Sequence, residues 1–433
     1  MRNRTARGLA WVVATSVAAL VVLGLTCSIF EGSYEDISDV EAALQKEQEG
    51  QGIPSLAAAV IRDGAVVWET YLGYADLEQQ VAAGESTIYV VASVSKLVVL
   101  TAALQLWENG KLDLDADVSN YLPFKVRHPR FPDDPITCLH LMTHTSGLAW
   151  PSDEIPGFYD FYPCDSAPPL AQWLPDFILP SGSYYFPAVW KDAASGKVEL
   201  YSNIGASLLA YIVERLSGVP FADYCRDSIF RPLGMTNSSY WYRDLPAANL
   251  ARPYSADRAP IKFHTTLGWP TADLKTTVRD FTRFLLAWMN GGEVGGVRIL
   301  ESRTVDKALE MRNPASGRCL IWLRALGDWY GHTGGVPGFS AVAEFQRPTG
   351  LGVIVCTNMR HGSVYPGGRI HALLRRIADR PDAAPEPLPA GEFLRRGMRL
   401  LTSRGPDVFA ARAFDVVGLP LTATGPRPAT LGQ

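Results

Sequence analysis

The chain has 433 residues, 47% of them apolar and 19% charged, with a formal net charge of −4. This is an ordinary globular composition with ample material for a core, arranged as one large two-lobed unit or as two domains. The acidic balance and the lack of any long Lys/Arg run exclude a nucleic-acid binder, which needs a basic surface for phosphate contacts, and point to small-molecule or peptide chemistry.

Arg2, Arg4 and Arg7 precede about 23 uncharged residues, Gly8 to Phe30, a stretch long enough to span a bilayer. Residues 1–30 are therefore expected to be a signal or membrane anchor. The basic flank keeps that end cytoplasmic and places everything after Phe30 outside, in the cell envelope. Uncleaved anchoring is favoured over cleavage and secretion, because Gly24-Leu25-Thr26-Cys27-Ser28 is a weak cleavage site. Cys27 also matches a lipid-acceptor pattern poorly.

Glu31 to Asp36 reads as a linker. Leu56 to Ile61 and Val66 to Tyr74 are apolar, β-branched runs separated by Arg62-Asp63-Gly64-Ala65, which predicts a β-hairpin. Ser93 to Asn109 turns helical, with Leu97, Leu100, Leu104 and Trp107 on one side and Asn109-Gly110 as a stop. Gly205 to Ser217 and Thr277 to Asn290 have the same spacing, ended by Gly218 and Gly291-Gly292. Between them, Trp150 to Glu199 is rich in aromatics and proline and reads as ordered loops, forming either a substrate-binding wall or a lid packed on the helices. Cys319 to Leu326, Gly338 to Gln346 and Leu351 to Asn358 read as strands, and Gly368 to Ala378 as a helix. Strands at both ends with helices between predict an α+β protein of two lobes: one antiparallel sheet from N- and C-terminal strands flanked by helices, plus a mainly helical lobe. The cleft between the lobes is the expected site. Residues 31–378 then form the catalytic domain. Residues 379–433 are Pro/Ala-rich and read as a flexible tail, with a helical pattern only at Phe393 to Leu401.

Of the six cysteines, the five beyond Cys27 (Cys138, Cys164, Cys225, Cys319 and Cys356) contain no Cys-x-x-Cys pair, and one disulfide is compatible with them without a deducible pairing. The seven histidines form no His-Glu-x-x-His set. Neither a metal nor another cofactor is expected.

Three short elements carry the chemistry. Ser93-Val94-Ser95-Lys96 opens the first long helix, so Ser93 and Lys96 lie on one face and a desolvated lysine can take the hydroxyl proton. The helix N-terminus offers free N–H groups to an oxyanion. Alone this signal is weak, since such a pair arises by chance on the order of once in a chain of this length. Tyr201-Ser202-Asn203 precedes the second helix, with Tyr201 placed to share the proton shuttle and Asn203 to hydrogen-bond Lys96 and substrate. His332-Thr333-Gly334-Gly335 lies among the C-terminal strands, where paired glycines let a ligand approach the sheet edge.

In this order the three elements resemble the Ser-x-x-Lys, Tyr-x-Asn and Lys/His-Thr-Gly motifs of the serine β-lactamase and penicillin-binding superfamily. Leu141-Met142-Thr143-His144-Thr145-Ser146-Gly147-Leu148 is similar to a segment of its class C β-lactamase, D,D-carboxypeptidase and esterase branch, and the resemblance covers about residues 40 to 378. It implies Ser93 as nucleophile, Lys96 and Tyr201 as the proton-transfer pair, Asn203 as a positioning residue, and the N–H groups of Ser93 and Gly335 as the oxyanion hole. It further implies that His332, Thr333 and Gly334 help to bind the far end of the substrate, often a carboxylate, and that the His144 loop is structural.

Two departures bear on the substrate. His332 stands where class C β-lactamases have Lys, and an unperturbed histidine is mostly neutral above about pH 6.5, so activity on a carboxylate substrate is expected to decline above that pH. Asp273, in Trp269-Pro270-Thr271-Ala272-Asp273-Leu274, replaces a small residue bordering the cleft in relatives. The expected function is hydrolysis of an ester or amide, D-amino-acid peptides and other cell-wall-related substrates included, through a Ser93 acyl-enzyme outside the cytoplasmic membrane. The alternatives are a β-lactamase and, from another class, a penicillin-binding sensor or scaffold without turnover.

Overall fold

The computed structural model describes residues 37–149 and 161–379. The expected anchor, the linker and nearly all of the tail, including Phe393 to Leu401, lie outside the described residues. The described chain opens on a helix not anticipated above, α1 (Ile37–Gly50), followed by β1 (Ser55–Arg62) and β2 (Ala65–Asp76). Asp63 and Gly64 turn between these strands with φ of +52° and +75°. Both signs are those of a two-residue hairpin turn whose twist matches the strands it joins.

β1 shows how the sequence builds two layers. Alternate residues of a strand face opposite sides, and here Ala57, Ala59 and Ile61 pack against the helical lobe. Leu56, Ala58 and Val60 pack with Val40 and Leu44 of α1. A strand buried on both faces must be apolar at nearly every position, as Ser-Leu-Ala-Ala-Ala-Val-Ile is. β2 is followed by a short edge strand, β3 (Val81–Ala82).

The helical lobe centres on α2 (Lys96–Glu108), in which every residue from Lys96 to Leu106 is buried. A 3₁₀ turn, Ala92–Ser95, feeds it. The aromatic stretch expected to be irregular contains α3 (Leu170–Ile178), whose Trp173 and Phe177 are 2% exposed. Trp190 donates its indole N–H to Ile178 O at 3.0 Å. Those side chains complete the helical core, which favours the lid reading of this stretch, whereas Tyr184 and Phe186 remain exposed. α4 (Asn203–Ser217) starts at Ser202, whose hydroxyl accepts from Gly205 N at 2.9 Å, and ends at Gly218 with φ +77°. Both are standard helix-terminus solutions. α5 (Val278–Met289) is capped by the Thr277 side chain.

The C-terminal part returns to the sheet as β4 (Leu323–Arg324), β5 (Tyr330–Val336), β6 (Phe339–Gln346) and β7 (Leu351–Thr357), closed by α6 (Arg369–Asp379). The seven strands are ordered β4-β5-β6-β7-β1-β2-β3, with β1 antiparallel to β7 through pairs such as Ala58 with Val355. The expected sheet of N- and C-terminal strands with a helical lobe is thus the observed fold. The strand expected over Cys319 to Leu326 shrinks to Leu323–Arg324. Cys319 N donates to Trp322 O at 2.9 Å and Ile321 has φ +59°, so Cys319–Trp322 is a tight turn. That turn drives Trp322 into the core between Trp288 and Phe345. The five described cysteines are free, and all but Cys164 are buried. Among the described residues, no single helix is long and apolar enough to cross a membrane.

Candidate active site

The 3₁₀ turn that holds Ser93 is braced from both sides. Val91 N donates to Leu274 O at 2.9 Å, and Ser95 Oγ bonds Ala92 O while accepting from Leu274 N. Ala92 sits at φ +47°, a left-handed conformation that a residue with Cβ seldom adopts. The bend presents Ser93 at the head of α2, 9% exposed, one turn from Lys96.

Lys96 is fully buried, and its Nζ lies 2.9 Å from Ser93 Oγ and 3.0 Å from Thr271 O. Burial, and then repulsion from Arg318, pushes this amine well below the usual lysine range. Among the described residues no carboxylate forms an ion pair with it, and the Thr271 carbonyl is the one acceptor besides Ser93 that its Nζ is seen to bond. A neutral Nζ at this distance accepts the Ser93 proton. The Tyr201 ring stands 5.1 Å from Nζ and 6.1 Å, centroid to centroid, from the His332 ring.

Tyr201 lies in a segment without regular secondary structure, so its position is fixed by the loop around His144. Leu200 N donates to His144 O at 2.7 Å, Ser202 N to His144 Nδ1 at 3.3 Å, and the His144 ring packs 4.5 Å from the Tyr201 ring. His144 has φ +56° and is held neutral by burial, then by Arg318, Lys96 and His332. This geometry supports the structural reading of that loop. Asn203, the first residue of α4, is buried, and its Oδ1 has no protein hydrogen-bond partner. The expected bond from Lys96 to Asn203 is not made; the Lys96 Nζ bonds go to Ser93 and Thr271.

His332 opens the motif on β5. Its Nδ1 is 2.7 Å from Thr333 O, and because a carbonyl only accepts, the ring proton belongs on Nδ1. Nε2 is left as a buried acceptor without a protein partner. Burial, then Lys96 and Arg318, lowers the His332 pKa to about 3. The decline expected above pH 6.5 is therefore corrected: His332 is neutral across the working range and attracts no carboxylate by charge. Thr333 alternates to the other strand face and is half-buried.

A Cβ on Gly334 would overlap Val91 O and lie 3.0 Å from Ser93 N, and one on Gly335 would overlap the Tyr365 hydroxyl. The glycine pair lets the protein's own nucleophile turn dock against the sheet edge, which brings the Ser93 N–H beside the β5 backbone. Tyr365 donates to Gly334 O at 3.0 Å and stiffens that edge. Asp273, expected at the cleft border, turns its carboxylate onto its own loop. It is 3% exposed and accepts from Thr266 N and Oγ1 at 2.6 and 3.0 Å. Burial raises its pKa against the opposing pull of Lys275 and these bonds. Its work is to fold the Thr265–Lys275 loop inward, and that loop delivers Thr271 O to Lys96.

The structure thus gathers Ser93, Lys96, Tyr201 and His332, with Gly334 holding the two sides together. The reasoning from sequence missed Thr271, which acts through its backbone, and Arg318. The one signal for Arg318 was an arginine placed directly before the apolar run Cys319-Leu320-Ile321-Trp322.

Comparison with known proteins identifies the family and the fold. The sequence profile of the family described as Beta-lactamase matches residues 40–375. The Bacillus subtilis (strain 168) protein PbpX, named for penicillin binding, is 27% identical over 313 residues, 71% of each chain. A Providencia stuartii protein named Beta-lactamase is 24% identical over 300 residues, 67% of each chain. Among solved structures, a class C β-lactamase superposes with a TM-score of 0.63 at 22% identity, covering 83% of this chain and 99% of the other. EstCE1, described as a hydrolase with promiscuous acyltransferase activity, gives 0.63 at 20% identity over 79% and 98%. At such identities the structural likeness speaks to fold alone.

Proposed function

Because this chain belongs to the β-lactamase family of serine hydrolases, we propose that it cleaves an ester or amide, D-amino-acid peptides included, through an acyl-enzyme on Ser93. The observation that carries this reading is the 2.9 Å contact between Ser93 Oγ and a fully buried Lys96 whose pKa burial, and then Arg318, push well below the usual lysine range.

Lys96 Nζ takes the Ser93 proton as Oγ attacks the substrate carbonyl. The Ser93 and Gly335 N–H groups receive the developing oxyanion. Tyr201, between Lys96 and His332, passes the proton to the leaving group, and water then attacks the acyl ester by the reverse route. Asn203 Oδ1 and His332 Nε2 are buried acceptors, suited to N–H or O–H donors of the substrate. A neutral His332 favours an ester or amide without a required carboxylate over a β-lactam, whose carboxylate a cation would hold. The hydrolase activity named for one structural neighbour fits this choice, whereas a D-alanine carboxypeptidase substrate, named for another, would bring a carboxylate that a neutral His332 does not hold by charge. We place the domain outside the cytoplasmic membrane, tethered through residues 1–30, on the pattern of Arg2, Arg4, Arg7 and the apolar run that follows.

The test is intact mass and peptide mapping after exposure to a fluorophosphonate and, separately, a penicillin. A fluorophosphonate adduct confined to Ser93 is expected, with slow or no penicillin labelling. Rapid penicillin turnover would move the assignment to β-lactamase. Stable acylation with no turnover of any ester or peptide would favour a sensor. No adduct from a folded sample would overturn the catalytic reading.

A further inference from the structure

Arg318 is a cation where none is required for packing. Its side chain is 2% exposed, with Nε 3.1 Å from Glu199 Oε1 and Nη1 2.7 Å from Ile321 O. Glu199 completes the cluster by accepting from Asn313 Nδ2 at 2.8 Å and from Ser316 Oγ. Two features place this pair at the service of the site. Glu199 lies two residues before Tyr201, in a segment without helix or strand to fix it, so the pair ties that segment to the turn leading into β4. The Arg318 charge also opposes a proton on Lys96, His144 and His332 alike. Ile321, which accepts from Arg318, holds φ +59°, a costly conformation for a β-branched residue that the surrounding bonds must enforce.

We propose that Glu199 and Arg318 are a positioning pair for the hydrolytic site: they clamp the Tyr201 segment onto the Arg318 turn and face Lys96 with a fixed, buried positive charge. The inference rests on Lys96 as the base. Lys96 is faced by Ser93 from its own turn, by Thr271 O, by the Tyr201 ring, by His332 on β5, and by Arg318. His332 and His144 are neutral, so they do not titrate in the working range. Arg318 is faced by Glu199, and by Arg312 and Arg324 around Cys319, whose thiol burial pushes up to about 11. The acid limb of reactivity therefore reports Lys96.

The two members act with opposite sign, which a purely structural role would not. Removing the Arg318 charge lifts its repulsion of protonated Lys96, so more alkaline solution is needed to free the amine. Removing the Glu199 charge leaves Arg318 uncompensated, and the amine is freed at lower pH. The experiment is the pH dependence of the rate of fluorophosphonate labelling at Ser93 in the full chain, which needs no known substrate. Arg318→Gln is expected to move the acid midpoint up by about one pH unit, a tenfold loss of rate at fixed pH on that limb. Glu199→Gln moves it down, and Arg318→Lys leaves it near the native position. Shifts of the same sign in both glutamine variants, or lower rates with an unmoved midpoint, would overturn the proposal. Should Arg318→Gln not fold, Glu199→Gln and Arg318→Lys decide it by the same criteria. A native chain that never labels at Ser93 would instead remove the function on which the inference rests.

Discussion

Two buried charged groups, one on each face of the sheet, have been treated in opposite ways. On the outer face Glu344, 3% exposed, accepts from His371 Nε2 at 2.8 Å and from Arg375 Nε and Nη2 at 2.7 and 2.8 Å, and Arg375 stacks on Trp329. Burial pushes that carboxyl up, yet the Arg375 and His371 bonds outweigh it and hold the pKa at about 2. On the inner face Lys96 is buried as deeply, and a second cation replaces the counter-ion. A matched charge stays charged and fastens α6 to the sheet. An opposed one is pushed towards its neutral form, the form that the proposed base requires.

The sharpest way to break this contrast is to remove the base. Lys96→Met should lower the Ser93 labelling rate on the order of 10³-fold or more, while thermal unfolding shows no loss of stability, because a desolvated amine is replaced by an apolar chain. A Tm lowered by many degrees would mean that Lys96 holds the fold. Glu344→Gln should do the reverse. Breaking a buried pair costs about 3–5 kcal/mol, read as a lower urea midpoint, with the labelling rate per folded molecule unchanged. The same contrast has a pH signature. The Glu344 pKa is depressed on folding, so its contribution is complete above the unfolded value of about 4.3 and is lost as pH falls towards 2. Urea midpoints at pH 6, 4.5 and 3 should show the native chain losing stability over the last interval, and Glu344→Gln losing less.

Gly334→Ala tests the join between the faces. The new methyl meets Val91 O, a backbone atom that cannot swing aside, and a displacement near 1 Å can cost about 10²-fold. Labelling within threefold of native would show that β5 does not set the Ser93 geometry. The smallest effect is expected at His332. With its pKa at about 3, His332→Gln should leave the shape of the pH profile between 5 and 9 unaltered, and a lost limb near 6.5 would contradict a neutral imidazole.

The hairpin at Asp63-Gly64, the long helices and the meeting of terminal strands were legible because each is written locally, in turn residues and in periods of two or 3.6. Ser93, Lys96, Tyr201 and His332 were legible as motifs in order, although no one motif decided the matter. β5 was obscured because the residues that make it catalytically useful, Gly334 and Gly335, are poor strand formers whose absence of side chain is explained only by Ser93 and Tyr365 arriving from elsewhere. α3 was obscured by Pro175 within it. The partner of Asp273 was hidden for a related reason: position in a motif gives neighbours in sequence, and Thr266 is reached by a fold of the loop. The charge state of His332 depends first on its burial and then on Lys96 and Arg318, none of which its own motif reveals.

The pairing of β1 with β7 imposes an order in time. Ala58 cannot form its ladder with Val355 until roughly 300 further residues have been made, which at 5–20 residues per second takes on the order of 15–60 s. Until Leu351–Thr357 is made, one edge of an almost wholly apolar strand lacks its partner, and β5, against which the nucleophile turn docks, is not joined to β1. A chain halted before Leu351 would therefore be both inactive and prone to self-association through that bare edge, so the last strand to be made acts as the release that turns a sticky precursor into an enzyme.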